Sequence, residues 1–398
     1  MHRGRGDRPQ QTCPRSAARS ASPGAAARLL SIRCELPWSS DRPLMSEPFR
    51  RVGRVNHYSE SVFTVQGHGV HTALLTLASA QRKLGLPVTV NARRSESVLH
   101  VHSAGPLALR RLRGHRGVKV ISAHVTPATF PGSVIGATRL ARSVRSYMRF
   151  FFNHGDLVIA LSEDVATELR ELGVTSRITV IPNGVDSVLF TRETPTRSEA
   201  RRLLALPSSK TIVLTVGQLQ PRKGVQTVID VARRLPEVEF LWVGDTIFGA
   251  FSADRKKLRR TIAAAPPNVT FAGLVPHSAI PTYHRAADIF LFPSRQETFG
   301  LAPVEAALSG LPLVLSNLPV FSEVFTSPAM PYLAATTTND YVDAVAKLAA
   351  SASLRDTLGH QARTVALRYD ADLIAHRTTE AYLDAIDQAP RKARTGRP

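Results

Sequence analysis

The feature that most limits the fold is a repeated alternation of short apolar runs with longer amphipathic segments. Runs such as VKVISAH (118–124), LVIAL (157–161) and TIVLTV (211–216) are rich in β-branched residues, as buried strands are. Segments at 69–84, 105–113, 132–152 and 163–172 carry the helical period instead. Near-continuous apolar strands alternating with helices imply parallel sheets covered on both faces. Strands are expected at 87–92, 97–102, 118–124, 157–161 and 178–182, then at 211–216, 238–243, 269–273, 288–292 and 312–315. A polar, Pro-containing stretch at 191–210 separates the two series.

The chain has 398 residues, enough for two such domains. The expected organisation is a disordered basic extension over 1–50, with Met45 as an alternative start, an N-terminal domain over 51–190 and a C-terminal domain over 191–372. Residues 373–398 form a last helix crossing back to the first domain, then a basic tail. No run of eighteen apolar residues occurs, so no transmembrane helix is expected. Cys13 and Cys34 both lie in the extension, which excludes disulfides and cysteine metal sites from the folded part. Of the net charge of +20, +7 sits in residues 1–54 and +4 after Pro390, leaving +9 on the body. That remainder favours an anionic partner. A nucleic acid is not expected, because the tails carry over half of the charge and no RNA-binding motif occurs.

Three motifs carry chemistry. In PSRQETFGLAPVEAALSG (293–310), Glu297 and Glu305 stand eight positions apart around Phe299-Gly300-Leu301. On one helix that spacing parts their backbones by about 12 Å. A retaining glycoside hydrolase instead holds its carboxyl pair roughly 5 Å apart. The two glutamates suit separate arms for a long polar ligand, and an ordinary strand-loop-helix with surface glutamates has the same pattern. In TIVLTVGQLQPRKG (211–224), a strand and Gly217 lead to Arg222-Lys223-Gly224 at the start of a helix. Helix N-termini attract anions, and a guanidinium fork beside an ammonium suits diphosphate oxygens. The third motif is IPNGVD (181–186), a strand end followed by a glycine turn.

The order and gaps of these motifs resemble the retaining nucleotide-sugar glycosyltransferases of the GT-B fold, family 4. The resemblance rests on Pro182-Asn183-Gly184-Val185-Asp186, on Gly217 with Arg222-Lys223-Gly224, and on Glu297-Thr298-Phe299-Gly300-Leu301 with Glu305, Ala306, Gly310 and Pro312. It is specific from about 157 to 315 and absent from the first fifty residues. It implies an α/β fold of two Rossmann-like domains with parallel sheets facing a central cleft. It also implies that Glu305 binds ribose hydroxyls, Glu297 the transferred sugar, and Arg222 and Lys223 the diphosphate, helped by backbone N–H groups near Phe299, Gly300 and Leu301. Neither a metal nor another cofactor is expected. Asp370-Ala371-Asp372 spells a metal signature of a different glycosyltransferase fold, but here it reads as a helix cap.

In the first domain, Gly67 and Gly69 flank His68 at a helix start, where the family has a glycine pair. His124 ends a strand where the family often has a histidine facing the donor sugar, and is assigned a catalytic role with Arg222, Lys223 and Glu297. His102, similarly placed, reads as a core residue. In 136–152, Leu140, Val144, Tyr147, Met148 and Phe151 form an apolar stripe opposite Arg139, Arg142, Arg145 and Arg149. The stripe suits the core and the arginines an anionic bilayer, with Arg110, Arg111, Arg113, Arg116 and Lys119 enlarging the basic face. The segments SAHVTPATFPGSVIGA and YMRFFFNHGDLVIALS resemble bacterial enzymes that glycosylate diacylglycerol. The expected protein is thus a cytoplasmic hexosyltransferase, peripheral on the inner face of the membrane, using a nucleotide-sugar, with UDP as the family-level guess, and a lipid acceptor. The alternatives are a polysaccharide or small-molecule acceptor, and an epimerase or binding protein of the same architecture.

Overall fold

A computed structural model describes residues 47–60, 69–93, 96–129, 141–246, 255–328 and 330–389. The N-terminal domain runs β1 (Val55–Tyr58), α1 (Gly69–Lys83), β2 (Val88–Val90), β3 (Val98–Val101), α2 (Pro106–Gly114), β4 (Val118–Ser122), α3 (Ala141–Phe152), β5 (Leu157–Ala160), α4 (Glu163–Glu171) and β6 (Arg177–Val180). Its sheet has the order β2-β1-β3-β4-β5-β6, and every pair is parallel. Short helices at Ser187–Phe190 and Arg197–Leu203 lead out of it.

The C-terminal domain runs β7 (Ile212–Val216), α5 (Val225–Arg234), β8 (Glu239–Val243), α6 (Arg255–Ala263), β9 (Val269–Gly273), α7 (Ile280–Ala286), β10 (Ile289–Phe292) and α8 (Leu301–Leu308). It continues with β11 (Leu313–Ser316), α9 (Pro319–Val324), β12 (Tyr332–Ala335), α10 (Thr338–Ala350), α11 (Ala352–Ala366) and α12 (Ala371–Gln388). The order is β12-β11-β10-β7-β8-β9, again parallel throughout. The central strands IFLF and LVLS are buried at every position, because helices cover both faces. Two apolar clusters fill the layers above and below this sheet, anchored by residues such as Phe290 and Phe292 on one side and Phe240 and Trp242 on the other. Each side chain of this size contributes about 1.5–3 kcal/mol when fully buried.

α12 ties the domains together. Its cap, Asp370, accepts hydrogen bonds from the Asp372 N–H and from the Ser187 hydroxyl, while Asp372 pairs with Lys83. So the D-x-D sequence is a cap, as its position suggested. From there the helix packs along α1 and buries Tyr382 in the core of the N-terminal domain.

Three expectations need correction. The extension over 1–50 is not wholly outside the fold: Glu47–Arg50 form a helical turn, and Phe49 is buried edge-on against His376. Two strands, β1 and β12, were not anticipated. The basic face is also smaller than expected, because Arg111 is drawn in by the Ala92 carbonyl at 2.8 Å and lies over the Tyr58 ring. Among the described residues no helix is long and apolar enough to cross a membrane.

Candidate active site

The carboxyl ends of both sheets open onto one cleft. Open parallel sheets offer their ligand sites at this end, where the loops diverge. The N-terminal domain contributes Gly69 at the start of α1 and His124 just beyond β4. The C-terminal domain contributes Gly217, the 221–223 turn, Gly244 and Asp245, and the segment from Glu297 to Glu305.

The 221–223 turn is held against the loop after β10. Gly224 takes a left-handed φ of +78°, and a Cβ there would meet the Pro293 carbonyl oxygen at 2.2 Å. Glycine is therefore required for both conformation and space. The Arg295 N–H donates to the Arg222 carbonyl at 2.8 Å, and an Arg222 guanidinium N–H reaches the Gln296 carbonyl at 3.3 Å. Ser294 donates to Glu297 Oε1 at 2.6 Å, and the Lys223 ammonium donates to the same oxygen. The Lys223 ammonium also lies 5.0 Å from the centre of the Phe292 ring.

This pair is largely buried, with Lys223 12% and Glu297 10% exposed at the side chain. Burial pushes the Glu297 carboxyl up, but the charges of Lys223 and Arg222 and the hydrogen bonds from Lys223 and Ser294 outweigh it and hold the pKa below the usual range. Burial lowers the Lys223 ammonium despite the pull of Glu297, and Arg222 adds to the lowering. The result is a cation held by a partner rather than by water, at the edge of an open slot.

Gly300 opens α8 with φ +89°, and a Cβ there would lie 2.7 Å from the Phe321 ring. The first turn of α8 borders the cleft at Leu301 and Ala302, at the end where a helix carries partial positive charge. Glu305 lies one turn further on and is 5% exposed, with Oε1 bonded to His277 Nε2 at 2.8 Å. Burial opposes charge on His277, but the hydrogen bond and charge of Glu305, with Asp186, raise its pKa above the ordinary value.

The structure brings together His124, Gly69, Gly217, Arg222, Lys223, Glu297, Phe299, Gly300, Leu301 and Glu305 on this single cleft. Glu297 sits in a loop and Glu305 on α8, so the two carboxylates belong to different elements. Gly67 and Arg139 lie outside the described residues. Arg142, Arg145 and Arg149 are exposed on α3 and do not line the cleft. Sequence reasoning missed Gln218, Asp245 and His277, which also line it. Each follows the end of a strand in the second sheet, and that position was the available signal.

Two family models match the chain. One, for glycosyl transferases group 1, covers residues 196–365, and the other, for glycosyltransferase family 4, covers residues 93–189. This chain is a family 4 glycosyltransferase. Among curated relatives of the family, an alpha-galactosylglucosyldiacylglycerol synthase of Streptococcus pneumoniae is 28% identical over 328 residues, spanning 80% of this chain and 86% of that protein. A processive diacylglycerol alpha-glucosyltransferase of Acholeplasma laidlawii is 25% identical over 265 residues, 66% of this chain and 79% of that protein. Among solved glycosyltransferase structures, sucrose-phosphate synthase from Thermosynechococcus elongatus superposes with a TM-score of 0.72 at 19% identity, covering 84% of this chain and all of that one. Anabaena HepE in complex with UDP-glucose gives 0.67 at 20% identity, covering 83% and 99%. The GT-B architecture of two facing parallel-sheet domains is thus shared by this enzyme.

Proposed function

We propose that this glycosyltransferase moves a hexose, with retention of configuration, from a nucleoside diphosphate-sugar to a lipid acceptor at an anionic membrane surface. The observation that carries the donor half is the convergence of Arg222, Lys223, Glu297 and Glu305 on one cleft. The curated relatives named for diacylglycerol glycolipids support the acceptor half.

In this reading the diphosphate lies against Arg222, Lys223 and the start of α8, the ribose against Glu305, and the hexose against Glu297 and His124. Departure of the nucleoside diphosphate leaves positive charge on the sugar carbon and negative charge on the leaving phosphate. Fixed cations aimed at that phosphate lower the barrier, because they are already oriented when the charge appears. Lys223 is suited to this work: Glu297 keeps it charged and in place before the donor arrives. The acceptor hydroxyl attacks from the face that the leaving phosphate vacates, and that phosphate takes the proton. The exposed Arg142, Arg145 and Arg149 on α3, with the exposed Arg110 and Arg113 on α2 and Arg116 just after it, supply the basic surface toward the bilayer.

Incubation of the chain with nucleoside diphosphate-sugars and diacylglycerol in anionic liposomes tests the reading. Glycolipid and nucleoside diphosphate in equal amounts are expected. Sugar isomerisation without transfer, or transfer to soluble acceptors alone, would overturn it.

A further inference from the structure

Behind His124 a line of polar side chains runs through the N-terminal sheet, away from the cleft and into the crossing helix. His57 on β1 and His100 on β3 are register partners, and His102 follows two residues after His100 on the same face. His124 Nε2 lies 3.0 Å from His102 Nδ1, and His102 Nε2 lies 2.9 Å from His57 Nδ1. His57 Nε2 lies 2.8 Å from Gln81 Oε1 on α1. The Gln81 amide then donates to Thr379 Oγ1 on α12 at 3.3 Å. Thr379 donates its one hydroxyl proton to the Ala375 carbonyl at 2.7 Å. His57, Gln81, His102 and Thr379 are all at most 2% exposed.

The direction of every bond in this line follows from its inner end. Thr379 has spent its proton on a helix carbonyl, so toward Gln81 it can only accept. Gln81 must therefore turn its NH₂ to Thr379 and its carbonyl to His57. His57 then carries its proton on Nε2 and leaves Nδ1 bare. A bare His57 Nδ1 requires the proton of His102 on Nε2, and the same step fixes the proton of His124 on Nε2. A neutral imidazole has only one N–H, and burial keeps His57, near a pKa of about 4, and His102 neutral. The amide of Gln81 cannot pass a proton along, so the line is not a proton wire.

We propose that Thr379, Gln81, His57 and His102 are positioning residues that lock His124 in the Nε2–H tautomer at the wall of the transferase site. The inference rests on the proposed reading of the cleft only for its effect on catalysis; the tautomer itself is independent of it. A neutral His124 then meets the cleft in one tautomer rather than two, and the last helix, far along the chain, becomes part of the active-site scaffold.

The ring nitrogens of His57, His100 and His102 also lie within 4.8 Å of one another, close enough to hold a metal ion. Hydrogen bonds already account for these atoms, since His100 meets Tyr382 at 2.6 Å and Ser122 at 2.7 Å. The lock therefore needs no ion.

The test uses the full chain labelled with ¹⁵N-histidine and long-range ¹H–¹⁵N correlation spectra. His57, His102 and His124 are each expected as the Nε2–H form. Thr379→Val, close in shape, removes the anchor. It is expected to mix the tautomers of His57, His102 and His124 and to lower kcat about tenfold, or about 1.4 kcal/mol, with donor KM unchanged. Thr379→Ser is expected to restore both. An Nδ1–H form of His124 in the wild-type spectrum overturns the lock, and so does a Thr379→Val enzyme that slows with its tautomers intact. One equivalent of bound zinc on these histidines overturns it too. If no donor is turned over at all, the proposed function fails while the spectra still decide the tautomer.

Discussion

Replacing Lys223 separates fold stability from catalysis, because its ammonium serves both. In the unliganded site it is the main cation balancing Glu297, a carboxylate 10% exposed and otherwise held by Ser294 and the nearby charge of Arg222. Lys223→Ala strands that carboxylate. Breaking a buried pair from one side costs about 3–5 kcal/mol, and the open cleft beside this one puts the expected loss near the lower end. Catalysis should suffer separately. One fixed donor aimed at developing charge is worth about 3–4 kcal/mol, so kcat should fall by roughly 10²–10³-fold. The double variant Lys223→Met with Glu297→Gln removes both charges and should recover most of the stability, since two neutral side chains leave no buried ion. It should recover none of the turnover. The assays are urea unfolding followed by fluorescence, and initial rates of nucleoside diphosphate release. A Lys223→Ala enzyme with near wild-type turnover would refute the electrostatic role. A double variant that regains activity along with stability would show that Lys223 acts only through folding.

Glu305→Ala should weaken donor binding by about 1–3 kcal/mol, roughly five- to 150-fold, if its carboxylate accepts the ribose hydroxyls; unchanged affinity by calorimetry contradicts this. The bond between His277 and Glu305 should make stability pH-dependent in a known direction. The folded pKa of His277 is raised, so its contribution is complete below the unfolded value of 6.5 and disappears as pH rises through the folded one. Unfolding curves should show that loss in the wild type and not in His277→Gln, and identical pH profiles would count against the pairing. Neutralising Arg142, Arg145 and Arg149 together should cut sedimentation with anionic liposomes at low salt, at about 1 kcal/mol for each residue near the surface. Binding that survives both the triple change and high salt would move the membrane contact elsewhere.

The second domain was easier to read from sequence than the first, for a physical reason. Its strands β7 to β10 are largely apolar and run into or end on glycine or proline, so pattern and turn chemistry agree, as in IFLFPS and TIVLTVG. β1 is equally buried but reads VNHY, since its polar side chains find partners only in the folded state: Asn56 exchanges hydrogen bonds with the Ala92 backbone at 3.0 and 3.1 Å. No local pattern announces such a strand. β12 escaped notice because YLAA is short and lies at the sheet edge. In the site, the residues recognised were those in compact motifs, Arg222 with Lys223 and Glu297 with Glu305. Asp245 and His277 arrive singly from neighbouring loops. The pairing of Lys223 with Glu297 joins positions 74 residues apart and could not be seen before the sheet brought them together.

The same long-range logic explains how two domains come to share one site. Directional bonds at helix ends span the cleft. The Ser162 hydroxyl caps α4 by accepting from the Val165 N–H, and it donates to the Thr298 carbonyl at 3.0 Å, inside the Glu297–Leu301 loop. Next to it the Glu163 N–H donates to both carboxylate oxygens of Glu323 on α9 at 2.9 Å. A carboxylate at the N-terminus of α4 is favoured by the partial charge of that helix, although burial and the acidic Glu163 and Asp164 still raise the Glu323 pKa. A few directional bonds of this kind fix the spacing of the cleft and break singly, unlike a hydrophobic interface. α12 supplies the permanent attachment by anchoring in the N-terminal core through Tyr382, and it is the same helix that orients the histidine line behind His124. The first domain is therefore tied to the second in two ways, by single directional bonds at the end of α4 and by the buried anchor of α12.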